Sequence, residues 1–469
     1  MPVPTVRTGP TVRTEPTVRA GATEVTGTRR VLTGFGRIRR SESLVVGLPT
    51  PERLQELVAA RPKAGLVARG AGLSYGDAAQ NSGGVVVSPV TAPAIQLDPV
   101  RATVTASAST TFAQILQRIV PAGFILPVLP ATARLTVGGA IAADVHGKNH
   151  RQAGSLSAWV EDVDLIDGTG ELHRLAMRAD PAGLRATVGG MGLTGIVLRA
   201  TIRLRRIETT WMLRTTQKTD NLDSTLAAIE AAADQYSVGW IDATAKGAAL
   251  GRGIVSRADH ASRADTCGVD LELRYQPRSL RHVPAMPLSL VTPRSSRAVS
   301  SVVFRKAPAN RSGLVDLAGF FHGMDRFEGW TRAVAPGGLI QYEFVVPAGA
   351  EAVLAAVLQA LHAYDCAPVV TTLRRLGVPS SGPLSFPVPG WCLAVDIPAR
   401  HRRLGVLLAK LDLRIASAGG RSYLANDARL SRYAFEAMYG PVADWRAVRA
   451  RLDPHGLFQS DLGRRVGLC

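Results

Sequence analysis

Three glycine-rich stretches, at 69–77, 136–147 and 187–196, fall in the first half of this 469-residue chain. They constrain the fold more than any other feature. A glycine admits positive φ and lets backbone N–H groups converge where side chains would otherwise stand. Around them the sequence alternates short β-branched runs with brief helical spacing. Residues 65–68, 84–87 and 102–107 read as strands, and 112–119 has helical spacing. Residues 160–167, followed by Gly168-Thr169-Gly170-Glu171, read as a strand entering a hairpin turn. Further on, 341–346 and 392–396 read as strands, and 350–364 and 442–451 as helices. Strands with interspersed short helices indicate an α+β chain rather than a regular βαβ repeat. The glycine-rich texture ends near 208 and the composition shifts again near 420. This predicts an N-terminal domain over 29–208, a middle domain over 209–420 and a C-terminal segment over 421–469.

Residues 1–28 are different. Pro4, Pro10 and Pro16 each open the same Pro-Thr-Val-Arg tetrad. Three copies are too few to stack, and the repeated proline blocks a helix. A disordered tail is predicted there.

The net charge is +18, mostly from arginine. The basic residues are scattered and aromatics make up 5% of the chain, which argues against nucleic acid as a partner. No apolar run is long enough to span a bilayer, and no apolar secretory core follows the start. The expectation is a cytoplasmic protein with at most peripheral membrane contact. Cys267, Cys366, Cys392 and Cys469 are far apart, against a disulfide scaffold or a cysteine-rich metal site.

The first glycine motif comprises Arg69, Gly70, Ala71, Gly72, Leu73, Ser74, Tyr75, Gly76, Asp77 and Ala78. Such a loop can form a nest of N–H groups for phosphate oxygens. A dinucleotide fingerprint needs GxGxxG opening a helix, whereas the spacing here is GxGxxxG and the chain runs on into a strand. Gly72-Leu73-Ser74-Tyr75-Gly76 spells a nucleophile elbow, but the polar continuation provides no helix. An ordinary tight turn is the remaining alternative. The second motif holds Thr132, Thr136, Val137, Gly138, Gly139, Ala143, Asp144, His146 and Lys148. A short helix starting at Gly138-Gly139 would aim N–H groups at phosphates. His146 and His150 are four apart, but Gly147 lies between them and no third ligand is evident, so no metal is assigned. The third motif places Gly189, Gly190, Gly192 and Gly195 just before Ile196. Together the motifs describe backbone gathered around a large, planar, phosphate-bearing cofactor. The loops near 72, 139 and 192 must then meet at one cleft.

These stretches, with 32–37, 339–347, 385–391 and 444–461, resemble the vanillyl-alcohol-oxidase superfamily of FAD enzymes, specifically its sugar-oxidising branch. The resemblance implies a two-part FAD-binding domain of that type, made of the N-terminal half plus the C-terminal segment. An α+β substrate domain on an antiparallel sheet would cover the flavin. Residues 69–78 would cradle the pyrophosphate. Thr132, Thr136, Val137, Gly138, Gly139, Ala143, Asp144, His146, Ile196 and Tyr423 would line the flavin. Superfamily members with covalent FAD often carry a histidine in the first loop; Ser74-Tyr75 here implies noncovalent FAD. The implied reaction oxidises a secondary hydroxyl of a sugar or lipid-linked sugar-phosphate by hydride transfer to flavin N5. A separate short-chain NAD(P)H-dependent ketoreductase would complete an epimerisation. His146, Gln341, Arg374 and Asn426 are the expected catalytic face, with Lys148, Glu343, Cys392 and Ala394 toward substrate. This chain departs from the branch at several of these positions. Asn426 replaces a lysine, Arg374 another lysine, and Glu343 and Cys392 replace glutamine and asparagine. A non-catalytic flavin-binding partner of the same fold is the alternative.

Overall fold

The computed structural model describes residues 18–20, 23–25, 27–47, 50–284, 291–335, 337–440 and 442–469. Residues 1–17 of the expected disordered tail lie outside the described residues. Among its described residues the tail departs from expectation: Val18–Ala20 pairs antiparallel with Thr23–Val25, and Thr28 already opens a strand.

Two larger sheets occupy the N-terminal half. One runs Thr28–Thr33, Arg40–Val46, Val85–Val87, Leu66–Ala68, and its last two neighbour pairs are parallel. The other is antiparallel, in the order Leu172–Ala176, Val160–Ile166, Ile196–Arg203, Thr103–Ser107, Ile95–Asp98. Its covering helix, Phe112–Ile119, is specified locally. Thr111 and Gln114 form a reciprocal cap, and Phe112, Ile115, Leu116 and Ile119 give one buried face. Burial of each such side chain contributes roughly 1.5–3 kcal/mol.

The middle region forms one eight-stranded sheet, in the order Asn310–Asp316, Trp211–Thr219, Gly253–His260, Tyr236–Ile241, Thr371–Leu376, Gly390–Pro398, Leu339–Pro347, Arg421–Ser422. Every neighbouring pair is antiparallel. Helices Glu351–Ala363 and Leu404–Ser417 cover one side through leucine- and valine-rich faces. The other face of Thr371–Leu376, Gly390–Pro398 and Leu339–Pro347 meets residues of the N-terminal half at a cleft.

The last segment returns to the first half. Leu66 bridges Phe458 in parallel, and Asp461 N donates to Gln80 O at 2.8 Å. Arg465 forms a buried clamp, with Nη2 at 2.6 Å from Asp77 Oδ1 and Nη1 at 2.7 Å from Asp427 Oδ2. This clamp ties the first glycine loop to the turn after Asn426.

Candidate active site

The three glycine motifs meet. Gly72, Gly139 and Gly192 line one cleft of about 420 Å³, which is in the usual range for small-molecule sites. The first loop leaves Leu66–Ala68 and turns back along the cleft wall. Gly72 has φ +68°, and Gly76 packs so closely on the Asp427 carbonyl that a Cβ would lie 1.6 Å from its oxygen. Among the described residues, the N–H groups of 70–76 donate to no protein acceptor. Converging, unspent donors of this kind suit phosphate oxygens. Below them, Thr136 caps the Val137–Ala142 helix by accepting from Gly139 N, and Gly138 N donates to Ala108 O at 2.9 Å. A Cβ on Gly70 would meet Thr136 Oγ1 at 2.2 Å, so the loop and the helix start require each other's small residues. These features fit the pyrophosphate of FAD.

The floor comes from the eight-stranded sheet. Alternation along a strand sends every second residue to one face. Register sets Gln341 opposite Asp396, Glu343 opposite Ala394, and Ala394 opposite Thr372. Arg374 and, from the returning segment, Asn426 complete the floor. The polar groups form a continuous chain. His146 Nε2 lies 3.3 Å from Glu343 Oε1, close but without the alignment of a hydrogen bond. Asn426 Nδ2 donates to Glu343 Oε2 and to Gln341 Oε1, each at 2.6 Å, and Gln341 Nε2 donates to Asp396 Oδ1 at 2.9 Å. Burial pushes the Glu343 carboxyl up, but His146 and Arg374 outweigh it and leave it below the ordinary range. Burial, reinforced by Glu343, raises Asp396 to about 7 even though Gln341 opposes the shift. Both His146 ring nitrogens and Arg374 Nε are buried without a hydrogen-bond partner.

Most sequence-predicted residues line this cleft: Arg69 through Tyr75, Ala78, Thr132, Thr136, Gly138, Gly139, Ala143, His146, Gln341, Glu343, Arg374, Ala394, Tyr423 and Asn426. Seven do not. Asp77 is held by Arg465 and Arg39, and Gly76 serves the close approach to Asp427. Val137 and Ile196 point into the apolar core. Asp144 accepts from Ser157 N and from the hydroxyls of Ser157, Ser380 and Ser385, which makes it a scaffold for the neighbouring loops. Lys148, expected at the substrate, turns away: Nζ donates to Phe320 O and lies 4.1 Å from the Phe320 ring centroid. Burial, with Arg374 and Arg214 adding, lowers it to about 7. Cys392 shares the floor's face, opposite Arg374, but is buried out of the cleft, with its thiol 3.4 Å from the Glu343 carboxylate. Burial and then Glu343 push that thiol well up. The histidine pair also differs from a helical i, i+4 arrangement, because His146 precedes the short helix that His150 begins.

Sequence reasoning missed Asp396 and Thr372, although alternation from Ala394 and Arg374 would have found both. It also missed Phe35 and Trp330, which extend the expected Tyr75 into an aromatic wall. Tyr75, Phe35 and Trp330 follow edge to face, with centroids 5.2 and 6.3 Å apart. Trp330, Met324 and Phe327 come from three successive short elements, Gly323–Arg326, Phe327–Glu328 and Trp330–Val334, each too brief to show a period in sequence.

The FAD binding domain family matches residues 43–176. Decaprenylphosphoryl-β-D-ribose oxidase of Mycolicibacterium smegmatis is 34% identical over 95% of this chain and 99% of its own length. A Streptomyces coelicolor protein, named as uncharacterized in the mprA 5′ region, is 36% identical over 76% of this chain and 100% of its own. D-arabinono-1,4-lactone oxidase of Eremothecium gossypii is 31% identical over 22% of this chain and 19% of its own.

Proposed function

Because this chain belongs to the vanillyl-alcohol-oxidase superfamily of FAD-dependent oxidoreductases, as its relation to decaprenylphosphoryl-β-D-ribose oxidase shows, we propose that it oxidises a secondary hydroxyl of a ribose-like sugar. The sugar is carried on a phosphate, with a lipid beyond it, and the product is the ketone. A short-chain NAD(P)H-dependent ketoreductase then reduces the ketone to complete an epimerisation. The FAD-binding domain in this reading is 29–208 with 421–469, around a substrate domain at 209–420.

The polar chain from His146 to Asp396 on the cleft floor carries the reading. Held by the 69–78 loop, FAD would supply the hydride acceptor. The first loop holds Ser74 and Tyr75 and no histidine, which supports a dissociable cofactor. The protein's own groups deal with the proton. His146 accepts it from the substrate hydroxyl through an unspent ring nitrogen, and Glu343 stabilises the resulting imidazolium. Asn426 and Gln341 fix the Glu343 carboxylate in place. Arg374, with Nε free of protein partners, holds an anionic substituent or the reduced cofactor.

Anaerobic mixing of the FAD-loaded protein with prenylphosphoryl-ribose should bleach the flavin band near ~450 nm. The ketone should appear in the same proportion. Full FAD retention with no bleaching by ribose phosphates or by their prenyl esters would overturn the reading. Among the described residues, no helix is long and apolar enough to cross a membrane.

A further inference from the structure

The helix Pro293–Lys306 is built unlike its neighbours. Thr292 caps it and proline starts it, yet across its fourteen residues Ser296 is the one that is buried. Val299, Val302 and Val303, at i, i+3 and i+4, are 62%, 42% and 42% exposed. Its charged residues are Arg294, Arg297, Arg305 and Lys306, all positive. Among the described residues, no carboxylate forms an ion pair with any of them. The helix Glu351–Ala363 shows the ordinary arrangement, with its valine and leucine stripe buried on the sheet. Outward valines flanked only by cations instead match a helix that lies in the headgroup region of an anionic bilayer.

The position of the helix matters as much as its composition. Ser296 Oγ donates to Pro368 O, and two residues further on Val370 lines the cleft. Upstream, Arg281–His282 pairs in parallel with Phe327–Glu328, and Phe327 lines the cleft as well. Met324, at the same rim, is itself exposed.

We propose that Pro293–Lys306 is a docking surface for anionic lipid headgroups, seating the cleft mouth against the bilayer. This deepens the lipid-carried substrate of the proposed function by naming the surface that meets it. The valines enter the interface while the arginines and Lys306 face phosphates, so both parts of the helix are used.

The test is co-sedimentation of the FAD-loaded full chain with vesicles of phosphatidylcholine alone or mixed with phosphatidylglycerol. The parent protein should bind the mixed vesicles at least about tenfold more strongly. Val299→Ser with Val302→Ser and Val303→Ser should weaken that binding about tenfold, with the flavin spectrum unchanged. Equal binding by the triple variant overturns the proposal, because attraction would then reflect only the overall charge of +18. Capture by immobilised polyglutamate but by neither vesicle also overturns it, in favour of an acidic protein partner. Vesicle binding is read without turnover, so its failure and a failure of the oxidation reading are separate results.

Discussion

The wall and the floor of the cleft are made of different materials. The wall presents backbone: N–H groups of 70–76, a helix start at Thr136, and glycines where a Cβ would collide. The floor presents side chains, one from each alternate position of three strands. A backbone surface tolerates little substitution, because its recognition depends on which residues lack a side chain. A side-chain surface on a fixed strand register can be rewritten one residue at a time. The departures that the sequence resemblance implies, at Asn426, Glu343 and Cys392, all fall on the floor's side-chain face.

Five predictions can break or sharpen that contrast, in order of expected effect. His146→Ala, or Glu343→Gln, should slow anaerobic flavin bleaching ~10²–10⁴-fold while FAD stays bound, as read by stopped-flow absorbance. If either variant loses FAD as well, wall and floor are one cooperative unit and the contrast fails. Arg465→Ala leaves Asp77 and Asp427 buried without their shared cation and should cost roughly 3–5 kcal/mol in urea unfolding. A cost below ~1 kcal/mol would mean that the clamp does not hold wall to floor.

The third concerns pH. With the Asp396 carboxyl at about 7, the native state holds one more proton than the unfolded chain between about pH 4 and 7. Stability from this group is therefore complete at acid pH and lost as pH rises through 7, by at most about 1.4 kcal/mol per pH unit. Asp396→Asn should remove that component, so the difference in melting temperature between variant and parent should change from pH 5 to 8. A constant difference would mean that Asp396 is already ionised in the floor. Fourth, Gly72→Ala forces a side chain into φ +68° and should cost about 1–2 kcal/mol, weakening FAD retention roughly tenfold in ultrafiltration. Ser74→Ala should leave retention within about threefold if the loop binds through backbone. Last, Lys148→Met should shift stability by less than about 1.5 kcal/mol and leave the KM for the sugar unchanged. A raised KM would return Lys148 to the substrate face.

Where structure is decided locally, the sequence made it legible. The helix at 112–119 carries its cap and its buried face within a few residues, and the glycine motifs show where backbone must approach backbone. Side-chain direction is a different matter. Asp144 and Lys148 sit in the same motif as His146, and nothing in that motif states which of them faces the cleft. Serine hydroxyls from 157, 380 and 385 decide it for Asp144, and the Phe320 carbonyl and ring decide it for Lys148. Asp396 was accessible through alternation, whereas Trp330 and Phe327 reach the cleft from a stretch without periodicity. The valine helix at 293–306 has ordinary helical spacing, and its unusual feature, the exposed face, exists only in three dimensions.

The ion pair between Arg465 and Asp77 joins positions 388 residues apart. Closure over that span is entropically unfavourable, so it is expected to follow the local sheets and helices. Cofactor capture should thus lag behind compaction during refolding. The appearance of bound-flavin fluorescence would then time the final assembly of the molecule rather than the formation of any one region.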